Sequence, residues 1–179
     1  MNARMSSTLD RRPIANCYWV VPGRFLAGEY PGALDGAEAR QKVRKFLEAG
    51  MTSFLDLTPE GELISYEPFL REEAARLGVT VEHRRAPIRD LTVPRPPEMV
   101  NILNRIDGAL ESGCAIYVHC WGGVGRTGTV VGCYLARHGH SGQRALDELT
   151  RLWKVMEKAT WRVSPETDEQ KEFVRNWRE

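Results

Sequence analysis

The apolar run Cys114–Val118 ends in a turn holding three glycines, Gly122, Gly123 and Gly125, and the chain then enters a helical stretch from Thr127 to Arg137. A short buried-type strand that feeds a helix through so tight a turn belongs in a sheet whose strands alternate with helices. The rest of the chain repeats that alternation. Tyr18–Val21 and Phe25–Ala27, split by Pro22-Gly23, read as a small hairpin. A capping box from Asp35 to Glu38 opens a helix in which Ala39, Val43, Phe46 and Leu47 recur at helical spacing until Gly50. Ser53–Leu57 and Val79–His83 read as strands, separated by a helix carrying Phe69, Leu70, Ala74 and Leu77 that Gly78 stops. Pro96-Pro97 starts a helix with Val100, Leu103, Ile106 and Leu110 on its apolar face and Gly113 at its end. Ala145, Leu149, Leu152 and Met156 mark another, capped by Ser141, and Ser164-Pro165 opens a last one through Phe173, Val174 and Trp177. The expected fold is α/β, with a central, mostly parallel, twisted sheet flanked by helices on both faces. In such sheets sites form beyond the carboxyl ends of strands, which directs attention to the turn after Val118.

A length of 179 residues suits one domain, expected over 17–179 behind a polar tail, 1–16. Hydrophobic residues at 42% and charged residues at 27% allow a packed core and exclude a disordered chain. With 25 Lys and Arg against 24 Asp and Glu, the net charge of +1 argues against a nucleic-acid partner and against an anionic membrane surface. No run approaches the roughly 20 apolar residues of a membrane span, and Met1 to Ala15 lacks the apolar stretch of a signal peptide. A soluble, cytoplasmic monomer is expected. Cys17, Cys114, Cys120 and Cys133 show no Cys-x-x-Cys spacing, and His83, His138 and His140 show no metal-ligand spacing, so neither a zinc knuckle nor a thioredoxin-type pair is written here. Among apolar neighbours, Cys114 and Cys133 read as inert structural cysteines, and Trp153 and Trp161 are assigned to the core.

The turn reads His119-Cys120-Trp121-Gly122-Gly123-Val124-Gly125-Arg126-Thr127-Gly128. Glycines let backbone N–H groups converge without Cβ interference, which makes a concave anion nest. The following helix adds its positive N-terminal end, so the turn suits a dianionic phosphate. The same groups favour a thiolate on Cys120, and the planar fork of Arg126 can grip two phosphoryl oxygens at once. Cys120 is therefore the candidate nucleophile, and Trp121, Gly122, Gly123, Val124 and Gly125 with Arg126 form the candidate phosphate cradle. A Walker A loop needs Gly-Lys-Ser/Thr, whereas Gly125 precedes Arg126 here, so the NTPase reading fails. Chance alone would place His, Cys, Arg, Thr and Gly at these spacings with a probability of about 10⁻⁵ in a chain of this length.

The run His119-Cys120-x5-Arg126-Thr127-Gly128 resembles the signature loop of the cysteine-dependent protein tyrosine phosphatases. Nothing resembles the phosphotyrosine-recognition loop of the larger enzymes, so the chain is similar to the compact, dual-specificity-like branch, including small prokaryotic members, over roughly Tyr18 to Trp177. The resemblance implies a phosphatase loop between the Cys114–Val118 strand and the next helix. It also implies metal-independent phosphomonoester hydrolysis through a phosphocysteine intermediate, with no cofactor. It suggests that the segment Pro87–Pro94, which follows the Val79–His83 strand, is the general-acid loop carrying Asp90, 30 residues before Cys120. Glu60 and Glu62 are the alternative carboxylates, and Asp56, inside its strand, reads as a structural hydrogen-bond acceptor. By the same resemblance Thr127 offers its hydroxyl to the departing sulfur. Ser164–Gln170 resembles a C-terminal motif whose glutamine places the attacking water, although Gln170 is equally readable as an ordinary surface residue.

Adjacent strand residues face opposite ways, so His119 is not expected to act as a base on Cys120. It either orders the loop through hydrogen bonds or is a satisfied core histidine. Trp121 is a pocket wall or a buried anchor. Arg84, Arg85, Arg89 and Arg95 flank the acid loop and either attract anionic substrate or form a solvated surface. Inositol-lipid phosphatases of the resembled superfamily tend to carry basic residues in this loop, and Cys120 to Arg126 encloses no lysine, so the resemblance favours a phosphorylated protein or peptide, with a small-molecule or inositol phosphate as the alternative. Phosphotyrosine is the first expectation, with phosphoserine and phosphothreonine beside it. Two other classes stay open: a non-catalytic phosphate-recognition module, and a cysteine-based redox or arsenate-reducing enzyme with Cys17, Cys114 or Cys133 as resolving thiol.

Overall fold

The computed structural model describes residues 12–179. Among them, β1 (Cys17–Val21), β2 (Phe25–Gly28), β3 (Ser53–Asp56), β4 (Glu82–Arg85) and β5 (Ile116–His119) form one sheet in the order β1-β2-β5-β3-β4. β1 pairs antiparallel with β2, and every other pairing is parallel. The helices are α1 (Gly36–Glu48), α2 (Glu67–Leu77), α3 (Pro96–Glu111), α4 (Gly125–Arg137), α5 (Gln143–Trp153) and α6 (Asp168–Arg175), with a short 3-10 helix at Glu157–Thr160. This is the expected α/β architecture.

Strand residues alternate between two core layers. Leu26, Phe54 and Tyr117 pack with Phe46, Tyr66 and Leu70 of α1, α2 and the turn before α2. Phe25, Ala27, Leu55 and Val118 pack with residues of α3, α4, α5 and α6 on the other face. Because both faces are covered, β2, β3 and β5 are buried along their whole length. Helix α4 runs through the middle of the second layer and is buried from Gly125 to Leu135. A Cβ at Gly132 would lie 2.7 Å from the Val174 methyls, so the bare glycine is what lets α6 approach α4.

Several boundaries differ from the sequence expectations. β4 lies at Glu82–Arg85 rather than Val79–His83. The Val79 N–H closes α2 by bonding Ala74, and the ladder to β3 is instead built by Glu82 and Ala86 N–H groups. As an edge strand, β4 tolerates charged residues that hide it from an apolar-run search. β5 begins at Ile116, because the Cys114 N–H closes the end of α3 onto Ala109. α5 starts after Gly142 with no side-chain cap, so Ser141 is not its N-cap, and Met156 falls beyond its end. The last helix opens at Thr167, whose hydroxyl caps Gln170 N–H while the Gln170 side chain reaches back, rather than at Ser164-Pro165. Of the expected tail, residues 1–11 lie outside the described residues. Ile14 already packs on the α1–α2 layer, and the Asn16 carbonyl accepts from Glu29 N–H at 3.0 Å. Among the described residues no helix is long and apolar enough to cross a membrane.

Candidate active site

Gly28, His119, Asp56 and Arg85 lie in register across the carboxyl ends of β2, β5, β3 and β4. Directly beyond them sits the segment Cys120–Arg126, which lines a cavity of about 410 Å³ together with Asp90, Leu91, Lys158, Trp161, Arg162 and Glu166. Helix α4 begins at Gly125, two residues before the sequence expectation, so Arg126 occupies its first turn, and Val124 provides no side-chain cap. The N-terminal N–H groups of the helix are therefore open to a ligand.

Five consecutive loop carbonyls are each taken from outside the loop. The carbonyl of Cys120 accepts from His119 Nδ1 at 3.1 Å, and that of Trp121 from Tyr30 N–H at 2.9 Å. Gly122 accepts from Lys158 Nζ at 3.0 Å, Gly123 from Trp153 Nε1 at 3.2 Å, and Val124 from Ser164 Oγ at 2.7 Å. A trans peptide points its N–H opposite to its C=O. With the carbonyls held outward, the N–H groups from Trp121 to Gly125 turn inward, and among the described residues none bonds to another backbone group. Gly123 has φ +70°, and a Cβ there would meet the Gly28 backbone at 2.5 Å, so the turn cannot be built with a side chain at that position.

Arg126 is almost fully buried. Its Nη1 and Nη2 donate to Glu62 at 2.9 and 2.7 Å, Nη1 also to the Ile88 carbonyl at 3.2 Å, and Nη2 lies 3.1 Å from Asp90. Burial works against its charge, and Glu62, Cys120 and Asp90 outweigh that, so the guanidinium is held more firmly protonated than usual. Its Nε is buried without a partner, as expected of a donor waiting for a phosphoryl oxygen. Glu62, one of the alternative acids, thus holds the clamp, while Asp90, half exposed and in ion-pair reach of the same guanidinium, lines the cavity. Leu91, next to it, has φ +61°, a left-handed conformation that costs a side-chain-bearing residue about 1–2 kcal/mol. Because Glu62 is the main neutralising partner of a buried charge, Glu62→Ala is expected to lower kcat/KM about tenfold and weaken tungstate binding in parallel. A tighter tungstate complex would instead make Glu62 a competitor of the substrate.

His119 is fully buried on the α1–α2 side, facing away from the layer that holds Cys120. Its Nδ1 donates to the Cys120 carbonyl, so Nε2 accepts from the Tyr66 hydroxyl at 2.7 Å. Burial pushes its pKa well below the imidazole range, against the pull of Asp56, and the ring stays neutral. Both ring nitrogens are thus hydrogen-bonded inside the core, and one of the two bonds goes to the first carbonyl of the loop. Asp56 accepts from Thr58 N–H and Oγ1 at 2.8 and 2.7 Å and from Arg85 at 3.1 Å, as a structural acceptor does.

Other site residues are placed differently from expectation. The Thr127 hydroxyl bonds the Gly28 carbonyl at 3.5 Å rather than the sulfur. Gln170 is buried: its Oε1 accepts from the Glu166 and Thr167 N–H groups at 3.1 Å each, and its Nε2 donates to the Thr92 carbonyl at 3.2 Å. It caps α6 and ties it to the acid loop, and it does not line the cavity. Trp161 is 68% exposed at the cavity rather than in the core, where Trp153 does lie, and Trp121 is 62% exposed. None of the four loop arginines lines the cavity; Arg84, Arg85 and Arg95 pair with Glu82, Asp56 and Glu98. Burial raises the Cys17 thiol to about 11 and raises Cys133 as well, while Cys114 lies two residues before β5 and Cys120 directly after it, roughly 20 Å apart at strand rise. None of the three lines the cavity at Cys120.

Sequence reasoning missed Tyr30, Trp153, Lys158 and Ser164, the outer holders of the loop, and the cavity wall from Lys158 to Glu166. Their contacts span gaps of 30 residues or more, which no local pattern encodes. A larger cavity of about 680 Å³ lies between the amino ends of β3 and β4 and α3, away from the nucleophile.

A model of the PTP-SAK family, described as the Swiss Army Knife protein, DSP-PTPase phosphatase domain, matches residues 14–174. Among solved structures, Tk-PTP in its active form is similar at a TM-score of 0.69 with 22% identity, covering 89% of this chain and 93% of that one. The core catalytic domain of the PP-IP phosphatase SIW14 from S. cerevisiae, in complex with citrate, is similar at 0.67 with 20% identity, covering 93% and 88%. P. aeruginosa TpbA in complex with pTyr is similar at 0.61 with 17% identity, covering 93% and 94%.

Proposed function

The chain belongs to the PTP-SAK family of DSP-PTPase phosphatase domains, and on that premise we propose that it dephosphorylates proteins, phosphotyrosine first, through a phosphocysteine intermediate and without a metal. The observation that carries this reading is the set of five outward-held carbonyls, which turns a row of N–H donors toward one point between Cys120 and Arg126. Donors fixed before the substrate arrives need no reorganisation as charge builds on the phosphoryl oxygens.

In the first step the Cys120 thiolate attacks phosphorus in line, while the loop N–H groups and the free Nε of Arg126 hold the equatorial oxygens. Asp90 donates its proton to the leaving oxygen. In the second step Asp90 takes a proton from water, and that oxygen displaces the sulfur, whose returning charge meets the inward N–H groups. Thr127 and Gln170 are engaged elsewhere, so neither step is assigned to them.

The test is phosphate release in EDTA from para-nitrophenyl phosphate, phosphopeptides and inositol phosphates. Turnover of phosphopeptides that survives the chelator is the expected result. A preference for inositol phosphates overturns the protein-substrate reading. Absence of all turnover, with tungstate still bound, makes the domain a phosphate-recognition module.

A further inference from the structure

The rim of the cavity has a composition of its own. The two tryptophans that are mostly exposed, Trp121 and Trp161, both line it, and so does Leu91, itself half exposed. Isolated exposed apolar side chains are ordinary, but three around the mouth of a polar pocket are not. They come from three separate segments: the turn after β5, the acid loop, and the stretch after the 3-10 helix. Leu91 is held at the rim by a left-handed backbone conformation that leucine seldom adopts, and such outliers persist where the surroundings impose them.

The charges around the same cavity complete the picture. Lys158 is held by Glu29 at 2.6 Å, Arg162 pairs with Glu166, and Arg126 is shared by Glu62 and Asp90. Every cation lining the cavity therefore has a carboxylate partner, and beyond the loop N–H groups and the free Nε of Arg126 the site keeps no cation in reserve for a second phosphate. A polyphosphorylated ligand would meet Asp90 and Glu166 with its additional charges.

We propose that Leu91, Trp121 and Trp161 form an apolar collar that grips the aromatic ring of a singly phosphorylated tyrosyl side chain, making the domain selective for phosphotyrosine over phosphoserine, phosphothreonine and polyphosphates. The inference rests on the phosphatase reading above. A tyrosyl ring spans the distance between the anion nest and the peptide backbone, and it offers flat faces to both indoles. A phosphoserine side chain ends at the nest and leaves the collar unfilled.

The experiment compares kcat/KM for a phosphotyrosyl peptide with that for the same peptide carrying phosphoserine, in the full chain and in Trp161→Ala and Trp161→Phe. The expected wild-type ratio is on the order of 100 or more. It should fall about tenfold in Trp161→Ala and recover in Trp161→Phe, which restores a ring. An unchanged ratio in Trp161→Ala, or equal losses on both peptides, overturns the collar while leaving the phosphatase reading intact. Absence of wild-type turnover on either peptide and on para-nitrophenyl phosphate is the separate failure of that reading. Circular dichroism on each variant excludes misfolding as the source of any loss.

Discussion

Cys120→Ser is expected to lower turnover of para-nitrophenyl phosphate by about 10⁵-fold or more, the scale on which removing a covalent nucleophile acts. The reason lies in the fit between the loop and sulfur. N–H donors and a helix N-terminus stabilise a thiolate, but an alcohol is far too weak an acid for the same dipoles to ionise it. The serine variant keeps every outward carbonyl contact and the Arg126 clamp, so it is expected to bind tungstate within a few-fold of wild type. Calorimetry with tungstate beside the kinetic assay separates the two effects. A variant retaining more than about 1% of the rate would place the nucleophile elsewhere.

Asp90→Asn is the second large effect, and its size depends on the leaving group. With a phosphotyrosyl peptide the departing phenoxide needs a proton, and loss of the acid is expected to cost about 10²–10³-fold in kcat. Para-nitrophenolate leaves without help, so the loss there is expected to be several-fold smaller. The pH profile adds an independent reading. Wild-type activity requires Cys120 deprotonated and Asp90 protonated, so it should rise and then fall with pH. The rising limb belongs to the thiol and persists in Asp90→Asn, whereas the alkaline fall belongs to the acid and disappears. An alkaline fall that survives the substitution assigns the proton to another group, and Glu62 and Glu166 are then the next carboxylates to replace.

What the sequence carries well is whatever is encoded locally. Apolar periodicity gives α1, α2 and α3 because each buries one continuous stripe, as Ala39, Val43, Phe46 and Leu47 do. The nucleophile and the clamp are legible because a strand, three glycines and an arginine follow one another within the eleven residues Ile116 to Arg126. β4 escapes a search for apolar runs because an edge strand need not be apolar. Trp161 is not legible as a rim residue because an aromatic residue in a short irregular segment gives no periodicity to say which way it faces. Gln170 and Thr127 show a different limit: residue type says that a side chain can donate a hydrogen bond, but only the folded neighbourhood says to whom. Glu62 illustrates the same point in reverse, since a carboxylate that reads as a spare acid becomes the partner of a buried guanidinium once the chain brings it there.

The hands that hold the phosphate loop open come from almost every part of the chain: Tyr30 just after the first hairpin, Trp153 at the end of α5, Lys158 in the 3-10 turn and Ser164 ahead of α6. Gly123 presses on Gly28 across nearly a hundred residues of sequence. The geometry of the loop therefore depends on contacts made from Tyr30 through to Ser164 rather than on the loop's own sequence. No fragment that ends before Ser164 contains all the holders of the loop. Loss of any one of these distant holders would free a loop carbonyl, so phosphate release would report on contacts made across the whole domain.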